Sequence, residues 1–114
     1  MPIESPYILV VSMDVERGHE DEFNEVYNDE HVPYLLEVPG VRSAKRMKGE
    51  AFSMFLGGEV KEMPAPRPVY SAIYEIDSPE VLTSPEWRKA VERGRWPSVR
   101  PHTSNRSAVL YKVR

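Results

Sequence analysis

The sequence contains no cysteine among its 114 residues. Disulfides, thiolate catalysis and cysteine-ligated metals are therefore excluded. No apolar run approaches the roughly 20 residues that a membrane-spanning helix needs. The formal net charge is −3, and nothing in its distribution indicates attraction to nucleic acid. We therefore expect neither a membrane nor a nucleic acid among the partners of this chain.

Several motifs of known chemistry are also missing. Gly57-Gly58 has neither a flanking lysine nor a strand-to-helix setting, so it does not form a phosphate-binding loop. No nucleophile motif supports catalysis by serine, histidine and aspartate. A metal site built on His31, His102 and a carboxylate lacks a supporting spacing such as His-x-x-x-His. We therefore predict neither a metal nor another cofactor.

The remaining composition is that of an ordinary globular protein. The first residues, MPIESPY, do not form a basic region followed by an apolar one, so we expect no signal peptide and a cytoplasmic location. Apolar residues make up 40% of the chain and charged residues 29%. The length suits one core, so we assign residues 1–114 to a single domain.

Four segments have the length and composition of β-strands. Residues 7–15 are apolar on both faces, which is typical of a central strand. Residues 41–48 contain recurring lysine and arginine, which favours an edge strand. Residues 69–76 place two tyrosines, an alanine and an isoleucine on one face. Residues 106–113 form the last predicted strand.

The first helix follows the first strand. Acidic residues at 20–22 suit the partial positive charge of a helix N-terminus. Phe23, Val26 and Tyr27 then lie at helical spacing and form one apolar stripe. Pro33 biases the residue before it away from helical angles, so we predict that the regular helix ends there.

The second half of the chain contains more proline. Residues 49–68 predict a hairpin-like extension followed by a loop with three prolines. Ser78-Pro79-Glu80 and Ser84-Pro85-Glu86 both resemble helix starts, so we predict a second helical region in two pieces. The longer piece runs from about residue 85 to residue 93, and Trp96-Pro97 is expected to end the region.

The predicted order is strand, helix, strand, strand, helix, strand. This order is that of the α+β, ferredoxin-like fold, βαββαβ, with a four-stranded antiparallel sheet. Two helices cover only one face of such a sheet, so its other face would expose apolar side chains to water. We therefore predict a homodimer that packs sheet to sheet about a two-fold axis, forming a dimeric α/β barrel. A small-molecule pocket would lie between sheet and helices or at the interface.

Three segments resemble those of a known superfamily. They are FNEVYNDEHVPYLLEVPGV, SAKRM and PVYSAIYEI. Together they resemble small, EthD-like proteins of the dimeric α/β-barrel superfamily, in which a Glu-His-x-Pro run ends the first helix. The resemblance covers most of the chain and implies the fold, but little about activity. The superfamily includes monooxygenases, isomerases, haem enzymes and proteins without known activity.

His31 is the strongest candidate for a catalytic residue. An imidazole exchanges protons near neutral pH, so His31 could act as a general base or donate a hydrogen bond to a ligand. In the alternative interpretation, its ring nitrogens only hold the helix end and the following bend together. Four further residues are predicted to bind substrate: Tyr27, Arg46, Tyr74 and Trp87.

Each of these four also has a simpler explanation. Arg46 could pair with an anionic substrate, although a solvated charge or a salt bridge to Glu30 or Glu75 is commoner. The tyrosines and Trp87 could instead be core or dimer contacts. Trp96 could cover a cleft, His19 and His102 are expected at the surface, and Phe52 and Phe55 could form a lid or a dimer arm.

Two classes of function are compatible with this sequence. The first is a cofactor-independent enzyme of the isomerase, lyase or monooxygenase type. It would act on a small apolar or aromatic carbonyl compound, with His31 moving a proton. The alternative is a non-catalytic ligand-binding or accessory protein of a degradation or biosynthesis pathway.

Overall fold

The computed structural model describes residues 3–114, which contain six β-strands. The strands are β1 (Tyr7–Val15), β2 (Val41–Lys48), β3 (Phe52–Leu56), β4 (Glu59–Met63), β5 (Tyr70–Ile76) and β6 (Thr103–Lys112). Four of them form one antiparallel sheet in the order β2-β5-β1-β6. The other two, β3 and β4, pair with each other in a separate hairpin.

The helices pack on one face of the sheet. They are α1 (Glu20–Val26), α2 (Val32–Leu36), α3 (Pro85–Val91) and α4 (Trp96–Val99). A π-helical turn, Tyr27–His31, joins the first two, and 3-10 turns occupy Pro79–Thr83 and Arg100–His102. No helix within residues 3–114 is long and apolar enough to cross a membrane.

The sheet order confirms the predicted ferredoxin-like fold. The two strands predicted to be central, β1 and β5, occupy the middle of the sheet, where Leu9 pairs with Tyr74 and Val11 with Ala72. Alternate residues of β5 are buried, as the period-2 pattern predicts. The buried set faces the helices. The sequence pattern separates the two faces of the sheet but does not say which one the helices cover, and the structure decides this.

The path of the first helix differs from the prediction. The chain does not leave helical geometry before Pro33, because Val32 has φ −64° and ψ −47°. The amide of Val32 bonds to the carbonyl oxygen of Tyr27, five residues earlier, which is a π-type hydrogen bond. Pro33 then falls in the first turn of α2, directly after the π turn, at a position where proline is tolerated.

Two other boundaries also differ from the sequence prediction. Trp96-Pro97 does not end the second helical region but begins α4, since proline is tolerated in a first helical turn. The last strand begins at Thr103 and not at Arg106. Its early residues are polar, and backbone pairing of Thr103 with Val15 brings them into the sheet.

The uncovered face of the sheet has an apolar centre. Val10 and Ile73 pair with each other there, and Val109 and Tyr111 on β6 are 43% and 57% exposed. The β3–β4 hairpin is also exposed, with Phe55 74% accessible to solvent. It confirms the predicted hairpin-like extension, whereas its role as a dimer arm stays a prediction.

Candidate functional site

A cavity of about 190 Å³ lies between the helices and the sheet. Aromatic side chains form much of its wall: Tyr27, Tyr74, Trp87 and Trp96. Aliphatic side chains complete the apolar part: Val11, Met13, Leu35 and Val91. The basic residues are His31, Arg100 and Arg106. An apolar cavity with a few converging polar groups is the usual setting of a ligand site.

The fold brings together four of the five residues predicted for the site. His31, Tyr27, Tyr74 and Trp87 all line the cavity. The π turn carries the first two, and the wider turn places the Tyr27 and His31 rings edge to face at 4.9 Å between centroids. Tyr74 comes from the centre of β5, and Trp87 from α3 packs edge-on against it at 5.9 Å.

The His31 ring is buried and stacked. It is 5% exposed and lies on the Trp96 ring, with 4.5 Å between centroids and 24° between planes. Within residues 3–114, no group hydrogen-bonds to its Nδ1 atom, which is sealed from solvent. A histidine that only held the helix end would use its ring nitrogens for hydrogen bonds, so this geometry does not support the purely structural interpretation.

The buried imidazole is neutral at physiological pH. Burial lowers the pKa of His31 from its ordinary value of 6.5 to about 4. The positive charge of Arg100 also lowers the pKa, whereas Glu92 raises it. A neutral imidazole has one donor and one acceptor nitrogen, so it can both accept a proton from a ligand and donate a hydrogen bond.

We expect His31 to make the fold sensitive to acid. Its pKa is lower in the folded than in the unfolded chain, so its contribution is complete above pH 6.5 and is lost as pH falls toward 4. Between pH 7 and pH 5 the loss is about 2 kcal/mol of unfolding free energy. Urea unfolding of the protein and of His31→Phe at both pH values measures it. Equal pH dependence in both proteins would contradict the assignment.

Tyr27 and Tyr74 supply two phenol groups to the cavity. Both side chains are buried, and their hydroxyl oxygens lie 3.3 Å apart. This separation is long for a hydrogen bond between hydroxyls, so the pair is only weakly bonded. Burial raises the pKa of both tyrosines, which keeps them protonated. Each hydroxyl can therefore donate a hydrogen bond to the oxygen atom of a ligand.

Arg46 lies outside the cavity. Its guanidinium donates hydrogen bonds of 2.9 Å to Asn24 and to Asn28, and it lies 4.7 Å from the centroid of the Tyr27 ring. It forms neither of the salt bridges considered from sequence, since Glu30 pairs with Arg95 and Glu75 accepts from Ser43. Within residues 3–114 its neighbours are therefore aromatic faces and amides. Its guanidinium packs on the Tyr27 ring and so helps to hold this ring in place.

Sequence reasoning missed two residues at the cavity, Arg100 and Arg106, whereas Trp96 was considered as a possible cover for a cleft. Trp96 is 4% exposed and packs against His31, whereas Trp87, expected in the core, is partly exposed. Arg100 donates two hydrogen bonds of 2.8 Å to Glu92 and lines the cavity near His31. Arg106 reaches it from β6. An arginine in a polar connection carries no sequence signal, because only the folded chain brings that connection to the cavity.

Solved structures with this arrangement of helices and strands are known. A mutant of MhuD with two manganese protoporphyrin IX molecules per active site is 14% identical, with a TM-score of 0.61 over 95% of this chain and 94% of that one. The haem-degrader MhuD of Mycobacterium tuberculosis, with two haems bound, is 15% identical, with a TM-score of 0.57 over 95% of each chain.

A third structure is a putative antibiotic biosynthesis monooxygenase from Bacillus cereus. It is 14% identical, with a TM-score of 0.52 over 97% of this chain and 94% of that one. No protein-family model and no curated protein sequence matches this chain. At these identities the similarity shows the fold alone, and this α+β fold with a four-stranded antiparallel sheet is the one predicted from the sequence.

Proposed function

We propose that this chain binds a small aromatic or apolar carbonyl compound in the cavity and that His31 moves a proton on it. The observation that carries the proposal is the convergence of a neutral imidazole and two phenols on one apolar cavity. The apolar wall would hold the ring of the ligand. The hydroxyls of Tyr27 and Tyr74 would orient the carbonyl oxygen, and Trp87 would pack against the ligand.

The volume of the cavity limits the size of the ligand. At about 190 Å³ the cavity is smaller than the roughly 300–1,000 Å³ typical of sites for drug-sized molecules. A compound with a single ring is therefore favoured over a porphyrin of the kind bound by MhuD. The proposal needs no cofactor: an isomerase or lyase step requires only proton movement, and an oxygenation would use the substrate's own electrons.

The proposal includes a homodimer. The apolar centre of the uncovered sheet face and the exposed β3–β4 hairpin would both be buried against a second copy. We also propose that the chain is related to EthD-like proteins, on the strength of its Glu-His-x-Pro run. We propose a cytoplasmic location as well. The Bacillus cereus protein, a putative antibiotic biosynthesis monooxygenase, has the same fold, and an oxygenation is therefore kept among the proposed activities.

A non-catalytic binding protein is the second candidate. The specific observation in its favour is the low pKa of His31, because an imidazole with a pKa of about 4 is a weak base at neutral pH. Such a ring would still hydrogen-bond a ligand. The two candidates make the same prediction for binding and differ in whether the bound compound is altered.

We expect Arg106 to select ligands that carry a negative charge. Replacing Arg106 with alanine should weaken the binding of benzoate about tenfold, since a charge-assisted hydrogen bond contributes roughly 1.5–3 kcal/mol. Acetophenone has a similar ring and a neutral carbonyl, so its affinity should not change. Calorimetric titration of both compounds measures the difference.

Lys112 offers a matched control for this experiment. It lies on the same strand and on the same face of the sheet as Arg106, but it does not line the cavity. Lys112→Ala should therefore leave the affinity for benzoate unchanged. Equal losses in the two variants would contradict the role of Arg106, and failure of both compounds to bind the unmodified protein would contradict the cavity as their site.

A further inference from the structure

A second cluster of polar side chains lies away from the cavity. It consists of Glu16, which follows β1, His19, which precedes α1, and His102, which precedes β6. The candidate ligand atoms of these three residues all lie within 4.8 Å of one another. The two imidazole rings are stacked, with 3.6 Å between centroids and 9° between planes. None of the three residues has a part in the function proposed above.

The backbone holds these three residues in place. The amide of Glu16 donates a 2.8 Å hydrogen bond to the carbonyl oxygen of His102, which ties the end of β1 to the start of β6. The amide of His19 donates a 3.0 Å hydrogen bond to the carbonyl oxygen of Glu16. The amide of Phe23 in turn bonds to the carbonyl oxygen of His19 at 2.9 Å, which anchors that residue to α1. The backbone positions of the three residues are therefore set before any ligand arrives, whereas their side chains can still rotate.

We propose that Glu16, His19 and His102 form a binding site for a divalent transition-metal ion of the Zn²⁺ class. Two imidazoles and one carboxylate are a ligand set that zinc accepts, and water would complete a tetrahedron. Tetrahedral zinc with ligand distances of about 2.1 Å separates its ligand atoms by about 3.4 Å. The present spacing of up to 4.8 Å needs a contraction of up to about 1.4 Å, together with rotation of the stacked rings so that their lone pairs converge.

The electrostatic surroundings favour a cation. The Nδ1 atom of His102 lies 3.2 Å from a carboxylate oxygen of Glu16, and Nδ1 of His19 lies 3.7 Å from one of Glu22. The carboxylate of Glu22, which is not itself a proposed ligand, can orient the His19 ring and strengthen its other nitrogen atom as a ligand. The residues are partly exposed, so an ion can reach them from solvent. Binding would link the N-terminal end of α1 to the start of β6.

Titration of the untagged protein with Zn²⁺ tests the proposal. We expect one ion per chain by calorimetry and a rise in melting temperature of about 5 °C at saturating metal. His19→Gln and His102→Gln should each weaken binding at least tenfold, because each removes one of three protein ligands. Glu16→Gln should weaken it as well, and this variant keeps both stacked rings if a histidine variant fails to fold.

His31→Gln is the matched control, since it makes the same substitution at the other histidine of the chain. It should bind Zn²⁺ like the unmodified protein, so failure of this site and failure of the cavity proposal are distinguishable. NMR with Co²⁺ should broaden the ring signals of His19 and His102 but not those of His31. Absence of binding, unchanged binding in the His19 and His102 variants, or loss of binding in His31→Gln would each overturn the proposal.

Discussion

Replacing His31 with glutamine should slow proton exchange on a bound ketone by about 10²-fold or more. Phenylacetone is a suitable probe, because the carbon next to its carbonyl group loses a proton to a base and regains a deuteron in D₂O. Positioned general bases contribute roughly 10²–10⁴-fold to such steps. The low pKa of His31 makes it a weak base, which places the expected effect near the lower limit. Proton NMR follows the exchange directly.

The pH dependence separates a catalytic from a supporting role for His31. Only the neutral imidazole accepts a proton, so the exchange rate should stay level from pH 8 to pH 6 and fall to half near pH 4, the pKa of His31. The His31→Gln variant should lack this decline. Its affinity for acetophenone should stay within a few-fold of that of the unmodified protein, because glutamine retains a donor and an acceptor.

Two outcomes would contradict catalysis by His31. One is an exchange rate in His31→Gln equal to that in the unmodified protein at equal occupancy of the cavity. The other is the absence of exchange in both proteins although the ketone binds, which would establish the binding protein instead. Lys112→Ala serves as the surface control, since Lys112 does not line the cavity.

Replacing Trp96 with alanine should lower the free energy of unfolding by about 4 kcal/mol. Truncation of a buried tryptophan typically costs roughly 3–5 kcal/mol, through lost burial and the void left behind. Trp96 is 4% exposed, and its ring packs against the rings of Phe23, Tyr27 and His31 with centroids 6.2, 5.1 and 4.5 Å away. Equilibrium urea unfolding at pH 7 measures the loss.

The other tryptophan of the chain provides the comparison. Trp87 is partly exposed and contacts Tyr74 edge-on, so Trp87→Ala should cost about half as much as the change at Trp96. Trp96→Phe retains a ring in the core and should cost about 1–2 kcal/mol if the alanine variant does not fold. Equal losses for the two alanine variants would show that Trp96 does not have the central packing role described here.

Local pattern predicted the strands well, because alternation reports directly which face is buried. Tyr70, Ala72, Tyr74 and Ile76 share one face of β5 in the sequence and in the structure. Pattern predicted the path near Pro33 poorly. The preference of the residue before a proline is a weak local bias, and the π turn, which buries Tyr27 and His31, overrides it at Val32.

The sequence predicted only the part of the candidate site that lies within one short segment. Tyr27 and His31 are four residues apart on one helical stretch, so the sequence places them together. Trp96, Arg100 and Arg106 come from segments 65 or more residues later, and their distance from His31 depends on how the chain returns to β1. The contacts of Arg46 could likewise not be predicted from the pattern of β2. The partners of Arg46, Asn24 and Asn28, belong to the first helical stretch.

The sequence by itself determined the class of fold, the strands at its centre and the placement of Tyr27 and His31 on one helical stretch, since these follow from spacing within short segments. Only the tertiary structure decided that a cavity reaches that histidine, that its ring is buried on Trp96, and that Glu16, His19 and His102 meet. The physical reason is that burial and proximity between distant segments arise from packing of the whole chain. No local pattern of residues encodes the pKa or the neighbours that such packing produces.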